Sequence, residues 1–494
     1  MNTLATSPTS DRRRWIALAV VCLAQLMTVL DTTIVNVALP AIQRDLHFSQ
    51  SGLTWVVNAF LISFGSFLLL AGRLGDLLGR KRVFLAGVAV FTVASALCGI
   101  ASDQGVLIAA RFLQGIGGAM SGSVILAIVV TEFQHPADRA RAMSAYVFVA
   151  VAGGSLGLLT GGVLTQTVSW HWIFFVNLPI GLATFVLGSA LLPNDRGIGL
   201  SAGVDWLGSV LVTTALMSAV YAILQASSHG WGSTQVLGFG ALAAVLLSAF
   251  GALESRIANP IMPLSILRLR GLVASSVVRA FLVTGMYSTF FLGTLYLERV
   301  LHYDALRTGA AFLPWTLTVA VLSLGVTSRV MARFGPLRTL IPGLASVAAG
   351  LVLLATAGMQ TAFFPTLFIA YLVIGLGVGT SFMPLLTIAM ADVPTDEAGL
   401  ASGIVNVSQQ VSAALGLAVL GTIATSHTKS LLLHGHPLTS SLLGGYHLAF
   451  EVGVACVLVG IAFAVGLLRT RRPSLRVLEP AAQEPPVWAE RQAA

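Results

Sequence analysis

LDTTIVNVALP, residues Leu30–Pro40, is the stretch that decides the fold, because it places an acidic residue inside a long apolar run. The run extends from Trp15 to Pro40, which is enough to cross a hydrocarbon core of ~30 Å as a helix. A carboxylate at the depth of Asp31 costs roughly 2.5–3.5 kcal/mol on insertion scales. Asp31 therefore faces a water-filled cavity, pairs with a cation or takes up a proton. The alternative is that it only ties one helix to another.

The composition of the chain is that of a polytopic membrane protein. Its 494 residues are 56% hydrophobic and 9% charged, with a mean hydropathy of +0.89, whereas a soluble domain carries about 25% charged residues. The net charge of +8 does not indicate a nucleic-acid partner, because the basic residues fall between apolar segments. The cysteines lie within apolar runs, so we expect neither disulfides nor metal ligands.

Fourteen apolar segments are each long enough to form a membrane-spanning helix, which predicts an all-α protein. They are 16–40, 53–71, 83–101, 106–130, 142–166, 170–192, 204–225, 235–254, 273–297, 308–330, 338–358, 364–390, 400–425 and 446–468.

The basic residues indicate how these segments are oriented. With residue 1 on the cytoplasmic side, most basic residues fall in cytoplasmic loops or tails. The outer loops then hold only Arg44, Arg299, Arg307 and Lys429, and two further arginines lie within spans. By the positive-inside rule this asymmetry favours fourteen helices with both termini cytoplasmic.

Two pairs of segments reveal an internal repeat. Gly72–Arg82 (GRLGDLLGRKR) aligns without gaps with Ser328–Arg338 (SRVMARFGPLR), and Arg111–Gly122 (RFLQGIGGAMSG) aligns with Tyr371–Phe382 (YLVIGLGVGTSF). The members of each pair are separated by nearly the same length of chain. The separation exceeds six spans by about two helices, which predicts a 6 + 2 + 6 arrangement around a central path.

This arrangement divides the chain into seven segments. We expect a cytoplasmic tail (1–14), a six-helix half (15–192), a cytoplasmic linker (193–203), two inserted helices (204–256), a second linker (257–272), a second six-helix half (273–468) and a disordered cytoplasmic tail (469–494).

Arg111 is the candidate partner of Asp31. Counted from the outer ends of their helices, the two residues differ in depth by roughly 6 Å, within reach of an extended arginine side chain. Proximity would let Arg111 bias the protonation of Asp31, and Gln114, one turn further on, would share the hydrogen bonds. The alternative for Arg111 is a structural brace to backbone carbonyls.

The Gly72–Arg82 segment forms a second constellation, at the cytoplasmic end of the second helix. Asp76 is expected to accept hydrogen bonds from the N-terminal end of a helix in the opposite half, in one conformation only. The alternative is an ordinary positive-inside loop, which explains the basic cluster but not Asp76. The predicted gate residues are Gly72, Asp76, Gly79, Arg80 and Arg82.

Small residues form faces on several predicted helices. In the fifth segment Gly153, Gly157 and Gly161 recur every four residues, and Gly162 lies beside them. Such faces let helices pack closely and slide. The same pattern occurs in many membrane bundles, so the alternative is ordinary packing.

Several polar residues lie within the later spans. Arg279 is either a cation for substrate or proton or a residue that snorkels to the inner surface. Glu451 follows His447 by one turn, as a second proton site or an interfacial pair. Asn406 and Gln410 either line the path or bond helices together.

Aromatic residues of the ninth and tenth segments offer an apolar binding wall, with ordinary packing as the alternative. The predicted substrate path comprises Arg279, Tyr287, Phe291, Trp315, Asn406, Gln410 and Glu451.

Enzyme signatures are missing from the sequence. It contains no HExxH, no Walker-type glycine–lysine loop and no GxSxG. We therefore expect no enzyme activity, no cofactor and no metal. Without a nucleotide site, an ion gradient remains as the energy source.

Taken together, these motifs resemble the fourteen-spanner drug:proton antiporter family of the major facilitator superfamily. The similar segments, which cover nearly the whole chain from about 15 to 468, are Leu30–Pro40, Gly72–Arg82, Arg111 with Gln114, Gly115 and Gly118, Trp170–Gly181, Asp205–Gly208 and Glu397–Gly403.

The resemblance implies the major facilitator fold and proton-driven export, with Asp31 and Arg111 in coupling and Asp76 with Arg80 in the gate. One position departs from the family pattern. Leu158 follows Gly157 where the family has Gly-Pro, which removes a helix irregularity but keeps the glycine face.

We therefore expect a monomer in the bacterial inner membrane that exchanges protons for small amphipathic or hydrophobic compounds, such as drugs or antibiotics, by alternating access. Its partners would be the lipid bilayer, protons and the small-molecule substrate, with no nucleic acid. The alternatives are a proton-coupled symporter, an exporter of lipids, siderophores or metabolites, and a non-transporting scaffold or sensor.

Overall fold

The structure is a computed structural model that describes residues 8–468 apart from 196, 198, 200–204, 258–261, 263, 304, 395 and 396. The predicted tail 469–494 and residues 1–7 lie outside the described residues. Within the predicted linker 193–203, residues 196, 198 and 200–203 also lie outside them. The first helix begins at Pro8, earlier than the predicted boundary at residue 15.

The described residues form helices and no β-strand. In chain order the α-helices are α1 (Pro8–Asp45), α2 (Gln50–Leu78), α3 (Arg80–Gly99), α4 (Gln104–Glu132), α5 (Pro136–Thr167), α6 (Trp172–Phe175), α7 (Asn177–Leu191), α8 (Trp206–His229), α9 (Thr234–Glu254), α10 (Arg270–Arg299), α11 (Ala305–Ala311), α12 (Leu313–Val321), α13 (Thr327–Phe334), α14 (Pro336–Ala355), α15 (Phe368–Met390), α16 (Ala398–Leu433) and α17 (Leu438–Leu468). A 3-10 turn covers Leu264–Arg268, and π-helical turns cover Leu322–Val326 and Phe363–Leu367.

Thirteen helical segments in the described part of the chain are long and apolar enough to cross a membrane. The predicted tenth span, 308–330, is the exception, because it is divided among α11, α12, a π-helical turn and α13. Pro314 lies at the start of α12, and Gly325 in the π-helical turn has a φ of 115°. Both features interrupt a regular α-helical ladder, so this segment is not one continuous helix.

The helices pack in two groups, with α1–α7 in the first and α10–α17 in the second. The second group meets the first where α16 packs on α2 and α4, and where α5 packs on α12 and α15. The apolar side chains between these helices form the core. Glycines at the crossings allow this close approach because they carry no Cβ.

The same crossings occur in both groups. A Cβ on Gly87 of α3 would lie 2.8 Å from the carbonyl oxygen of Gly117 on α4, and one on Gly377 of α15 would lie 2.6 Å from that of Gly343 on α14. Likewise, Gly115 of α4 packs on α2, and Gly375 of α15 packs on α12. The glycines shared by the repeat, Gly115/Gly375 and Gly117/Gly377, thus have equivalent places in the two groups.

The hairpin of α8 and α9 packs against both groups. α8 contacts α2 and α16, while α9 packs mainly on α8. Val220 of α8 lies against Gly65 of α2, and Tyr221 lies with its ring centroid 5.9 Å from that of Trp55. Asp205 caps α8 by accepting a hydrogen bond from the backbone N–H of Gly208 at 2.8 Å.

Candidate functional site

Asp31 and Arg111 form an ion pair in the interior of the first group. Their exposed fractions are 0% and 1%, and Arg111 Nη1 donates to Asp31 Oδ2 at 2.5 Å. Gln114 Nε2 donates to the other carboxylate oxygen at 2.8 Å, and Gln114 Oε1 accepts from Arg111 Nη1 at 2.7 Å. The structure therefore brings together all three residues that were predicted for this site.

Two further residues complete the cluster and were missed by the reasoning from sequence. Asn177 Nδ2, on α7, donates to Asp31 Oδ1 at 3.2 Å and to Ser95 Oγ at 3.1 Å. Ser95 Oγ, on α3, in turn donates to the carbonyl of Phe174 at 2.9 Å. The signal in the sequence was an amide within the apolar segment WHWIFFVNLPIG. Asp31 thus accepts hydrogen bonds from three side chains carried by α4 and α7.

Arg111 is also held by the backbone and by aromatic rings. Its Nε donates to the carbonyl of Val56 on α2 at 2.9 Å, and its Cζ lies 4.6 Å from the ring centroid of Phe60 and 5.8 Å from that of Phe174. Arg111 is therefore a brace to a backbone carbonyl and a partner of Asp31 at once. Removing one member of such a buried pair leaves an uncompensated charge, which costs about 3–5 kcal/mol.

The glycine face of α5 lies directly against the part of α1 that carries Asp31. A Cβ on Gly157 would lie 2.9 Å from the carbonyl oxygen of Leu30, and one on Gly161 would lie 2.9 Å from that of Ile34. Gly153 packs on the preceding turn of α1. Gly162 has nothing within 4 Å of its Cβ position, so its predicted packing role is wrong, because it lies on another side of the helix.

Asp76 joins the two groups at the end of the bundle where α2 ends and α16 begins. Its Oδ1 accepts from the backbone N–H of Gly399 at 2.9 Å, and its Oδ2 accepts from that of Leu400 at 2.8 Å. Both N–H groups lie in the first turn of α16, where they have no acceptor within the helix and where the helix dipole favours a negative charge. The expected contact with a helix N-terminus of the opposite half is present.

The glycines of this segment explain how the contact is possible. A Cβ on Gly72 would lie 2.6 Å from the carbonyl oxygen of Gly399, and one on Gly399 would lie 2.5 Å from Asp76 Oδ1. Gly79 has a φ of 99° in the turn between α2 and α3, a conformation that favours glycine. Any larger residue at Gly72 or Gly399 would separate α2 from α16.

The basic residues that follow Asp76 have different surroundings. Arg80 Nη2 donates to Asp76 Oδ1 at 3.2 Å, whereas Arg82 is exposed. The backbone N–H of Arg80 donates to Asp195 Oδ2 at 2.6 Å, so Asp195 caps α3. Asp195 was not predicted for this site.

The predicted substrate-path residues are not all brought to one place. Arg279 is 2% exposed, so it does not snorkel to a surface, and its Nη1 lies 3.5 Å from Gln409 Oε1 on α16. Asn406 Nδ2 donates to the carbonyl of Gly122 on α4 at 3.4 Å and so bonds the two groups together. Gln410, next to Gln409, is half-buried.

The aromatic residues and Glu451 are located elsewhere. Trp315 is 1% exposed and packs on Phe290, with 4.6 Å between ring centroids, within the second group. Phe291 and Glu451 are exposed, and His447 Nε2 donates to the carbonyl of Ala357 rather than to Glu451. The side chain of Tyr287 and that of Leu158 lie outside the described residues.

The apolar helical segments, the two equivalent groups and the buried charges define a polytopic membrane transporter. The family model described as Major Facilitator Superfamily matches residues 21–417, and the chain belongs to this superfamily.

Similar proteins support this assignment. The chain is 40% identical to puromycin resistance protein pur8 of Streptomyces alboniger, over 93% of this chain and 90% of that protein. It is 33% identical to the tetracenomycin C resistance and export protein of Streptomyces glaucescens, over 84% and 76% respectively. Its fold is similar to that of the human organic anion transporter MFSD10, with a TM-score of 0.65, 15% identity and coverage of 93% of this chain and 100% of that one.

Proposed function

We propose that the protein is a proton-coupled antiporter that exports small amphipathic or hydrophobic compounds, such as drugs or antibiotics, across the bacterial inner membrane. The similar proteins include a puromycin resistance protein and a tetracenomycin C resistance and export protein, which supports export of such compounds. The observation that most directly supports proton coupling is the buried ion pair of Asp31 and Arg111.

The proposed architecture has fourteen spans in a 6 + 2 + 6 arrangement, a monomeric chain and both termini in the cytoplasm. The interrupted segment from α11 to α13 would be the tenth of these spans, and its π-helical turn and short helices pack against α5 and α15. Irregular backbone at membrane depth is tolerated where protein surrounds it. The distribution of basic residues supports the orientation.

Protonation of Asp31 is the proposed coupling step. A proton on the carboxyl group removes its charge and so weakens the contact with Arg111, while Arg111 keeps its bonds to Gln114 and to the Val56 carbonyl. The guanidinium therefore retains hydrogen-bond partners when the ion pair is broken.

α5 provides the proposed connection to the second group. Gly157 lets α5 approach the carbonyl of Leu30, next to Asp31, and α5 also packs on α12 and α15. A shift of α1 on protonation would be passed to α5 by direct contact. The two halves then rock about the substrate path, with a proton from outside exchanged for a compound from inside.

Asp76 is the proposed gate latch at the cytoplasmic end. Its two hydrogen bonds to α16 exist only while α2 and α16 are in contact, so they stabilise the conformation that is closed at this end. Opening towards the cytoplasm has to break them. Since the carboxylate is 3% exposed, water does not compete for these bonds in the closed state.

The test is gradient-driven efflux from cells that express the wild type or Asp31→Asn, measured with a compound to which the wild type gives resistance in a drug-susceptibility panel. Cells that express the wild type should accumulate less of the compound than empty cells. A protonophore should raise this accumulation to the level of empty cells, and Asp31→Asn should give no efflux. The matched control is Asp138→Asn, which changes a carboxylate at the surface of α5, paired with Arg141 at 3.5 Å. Gradient-dependent efflux that survives Asp31→Asn would refute the coupling role.

The same measurement decides the direction of transport. Accumulation that rises on expression would contradict export and indicate a symporter. A scaffold or sensor should show no difference between expressing and empty cells for any compound of a susceptibility panel.

A further inference from the structure

Arg279 is a buried cation that lacks an acidic partner among the described residues. It lies in α10 with an exposed fraction of 2%, and its Nη2 has no hydrogen-bond partner in the described structure. Nη1 has only the long contact of 3.5 Å to the neutral Gln409, and Cζ lies 5.6 Å from the ring centroid of Phe382. Arg111 of α4, which is also buried, is by contrast paired with the carboxylate of Asp31 and with Gln114.

A second donor without a partner lies one helical turn away. Ser276 Oγ is buried and has no hydrogen-bond partner in the described part of the chain, and residues three apart on a helix are neighbours. The Ser276 carbonyl accepts from Ser408 Oγ of α16 at 3.3 Å. Arg279 and Ser276 thus lie along the side of α10 that packs on α16, and both have donor capacity left over.

These donors lie close to the seam between the two groups. Asn406, one turn before Gln409 on α16, contacts Gly122 of the first group. On the other side, Ser144 Oγ of α5 lies 2.9 Å from the sulfur of Met383, which follows Phe382 on α15. Rocking of the halves would open this seam and expose Arg279 and Ser276 to a bound compound.

The chemistry of the two donors identifies a ligand class. A buried guanidinium without a counter-ion is unfavourable. Charged side chains inside membrane bundles mark functional sites. A guanidinium presents a planar fork that matches an oxyanion such as a carboxylate or sulfonate, and a serine hydroxyl adds one more donor. The Phe382 ring beside it offers an apolar contact.

We propose that Arg279 and Ser276 bind the anionic group of the transported compound, so that the protein prefers amphipathic organic anions to cations. This inference rests on the proposed function as a transporter, and it adds the charge class of the substrate. It does not depend on proton coupling by Asp31, because the two sites are in different groups of helices.

Two probes with the same fluorophore and opposite charge test the proposal. Dansylglycine carries a carboxylate, and dansylcadaverine carries an ammonium group. Their affinities are measured by fluorescence titration of the full-length protein in lipid nanodiscs, with empty nanodiscs subtracted. For the wild type we expect dansylglycine to bind more tightly, by roughly tenfold, the effect of one hydrogen bond to a charged group.

The variants separate recognition from structural support. Arg279→Gln should weaken dansylglycine roughly tenfold and leave dansylcadaverine unchanged or tighter. Arg279→Lys should retain the preference for the anion with lower affinity, because it keeps the charge but not the fork. Ser276→Ala should weaken only dansylglycine, by a smaller factor. Arg333→Gln, which changes an exposed arginine of α13, is the control and should change neither affinity.

Thermal unfolding of the same samples completes the experiment. We expect Arg279→Gln to unfold at the wild-type temperature or above it, because the change removes an unpaired buried charge. The proposal is overturned if the wild type binds neither probe, binds both equally or prefers the cation. It is also overturned if Arg279→Gln keeps the preference for the anion, or weakens both probes equally while it lowers the unfolding temperature. The efflux test of Asp31→Asn can succeed in each of these cases, so the two failures are distinguishable.

Discussion

Replacing Asp76 by asparagine tests the latch at the seam between α2 and α16. Asparagine has nearly the same shape, but it has one acceptor oxygen and no charge. One of the N–H groups of Gly399 and Leu400 keeps an acceptor, and the other faces an amide NH2 group instead. The side chain also loses its favourable interaction with the positive end of α16 and its pairing with Arg80.

The size of the effect follows from these contacts. One hydrogen bond to a charged group contributes about 1.5–3 kcal/mol, and a charge at a helix N-terminus contributes about 0.3–1 kcal/mol. We therefore expect a loss of about 2–4 kcal/mol from the closed conformation, which shifts its equilibrium with the open one by roughly 30-fold or more.

The assay is a spin-label distance between residues 82 and 338, introduced as Arg82→Cys and Arg338→Cys in a background without the native cysteines. Both positions are exposed and lie in the first turns of equivalent helices, α3 and α14, at the same end of the two groups. Separation of the groups at this end lengthens the distance between the labels. Asp76→Asn should raise the population of the longer distance.

A matched variant controls for the loss of a carboxylate as such. Asp138→Asn removes a carboxylate of α5 that pairs with Arg141 on the same helix, so the distance distribution should not change. A distribution for Asp76→Asn that agrees with the wild type, with an intact fold, would show that the two hydrogen bonds do not stabilise the closed state.

Two further predictions concern the Asp31 cluster. Gly157→Val places side-chain atoms against the Leu30 carbonyl and Thr33, so it should abolish efflux and lower the free energy of unfolding by about 1–3 kcal/mol. The control is Gly162→Val, which should leave efflux and thermal unfolding unchanged because nothing lies within 4 Å of the Cβ position of Gly162. Equal effects of the two valines would contradict the packing role. Asn177→Ala removes one donor to the Asp31 carboxylate, so gradient-driven efflux should fall roughly tenfold, while the exposed Asn36→Ala serves as the control. Wild-type efflux rates in Asn177→Ala vesicles would exclude Asn177 from the coupling cluster.

The sequence predicts the depth of a residue in the membrane well, because the rise of a helix per residue is fixed. This is why Asp31 and Arg111 could be placed at similar depth, and why Asp76 could be placed at a helix end. The repeat added that Gly115 and Gly117 have counterparts in the second group, which the glycine crossings reproduce.

The rotation of a helix about its axis is much harder to predict. In a soluble protein the apolar stripe shows which side faces the core, but in a bilayer both lipid and protein neighbours are apolar. For this reason the sequence does not show that Phe291 and Glu451 are exposed, and Gly162 was assigned to an interface that it does not reach. Ser95 was missed because a serine in an apolar helix most often bonds to its own backbone.

α2 contacts both the Asp31–Arg111 cluster and, through Asp76, the first turn of α16. Near one end, its Val56 carbonyl accepts from Arg111, and near the other end Asp76 holds the first turn of α16. The helix runs without interruption from Gln50 to Leu78, so these two positions lie on one body about 30 Å apart. If Arg111 shifts when Asp31 is protonated, α2 is displaced at its Val56 end. In the proposed cycle, α2, which packs on α4 and α16 along its length, would pass this displacement to the Asp76 contacts at its other end.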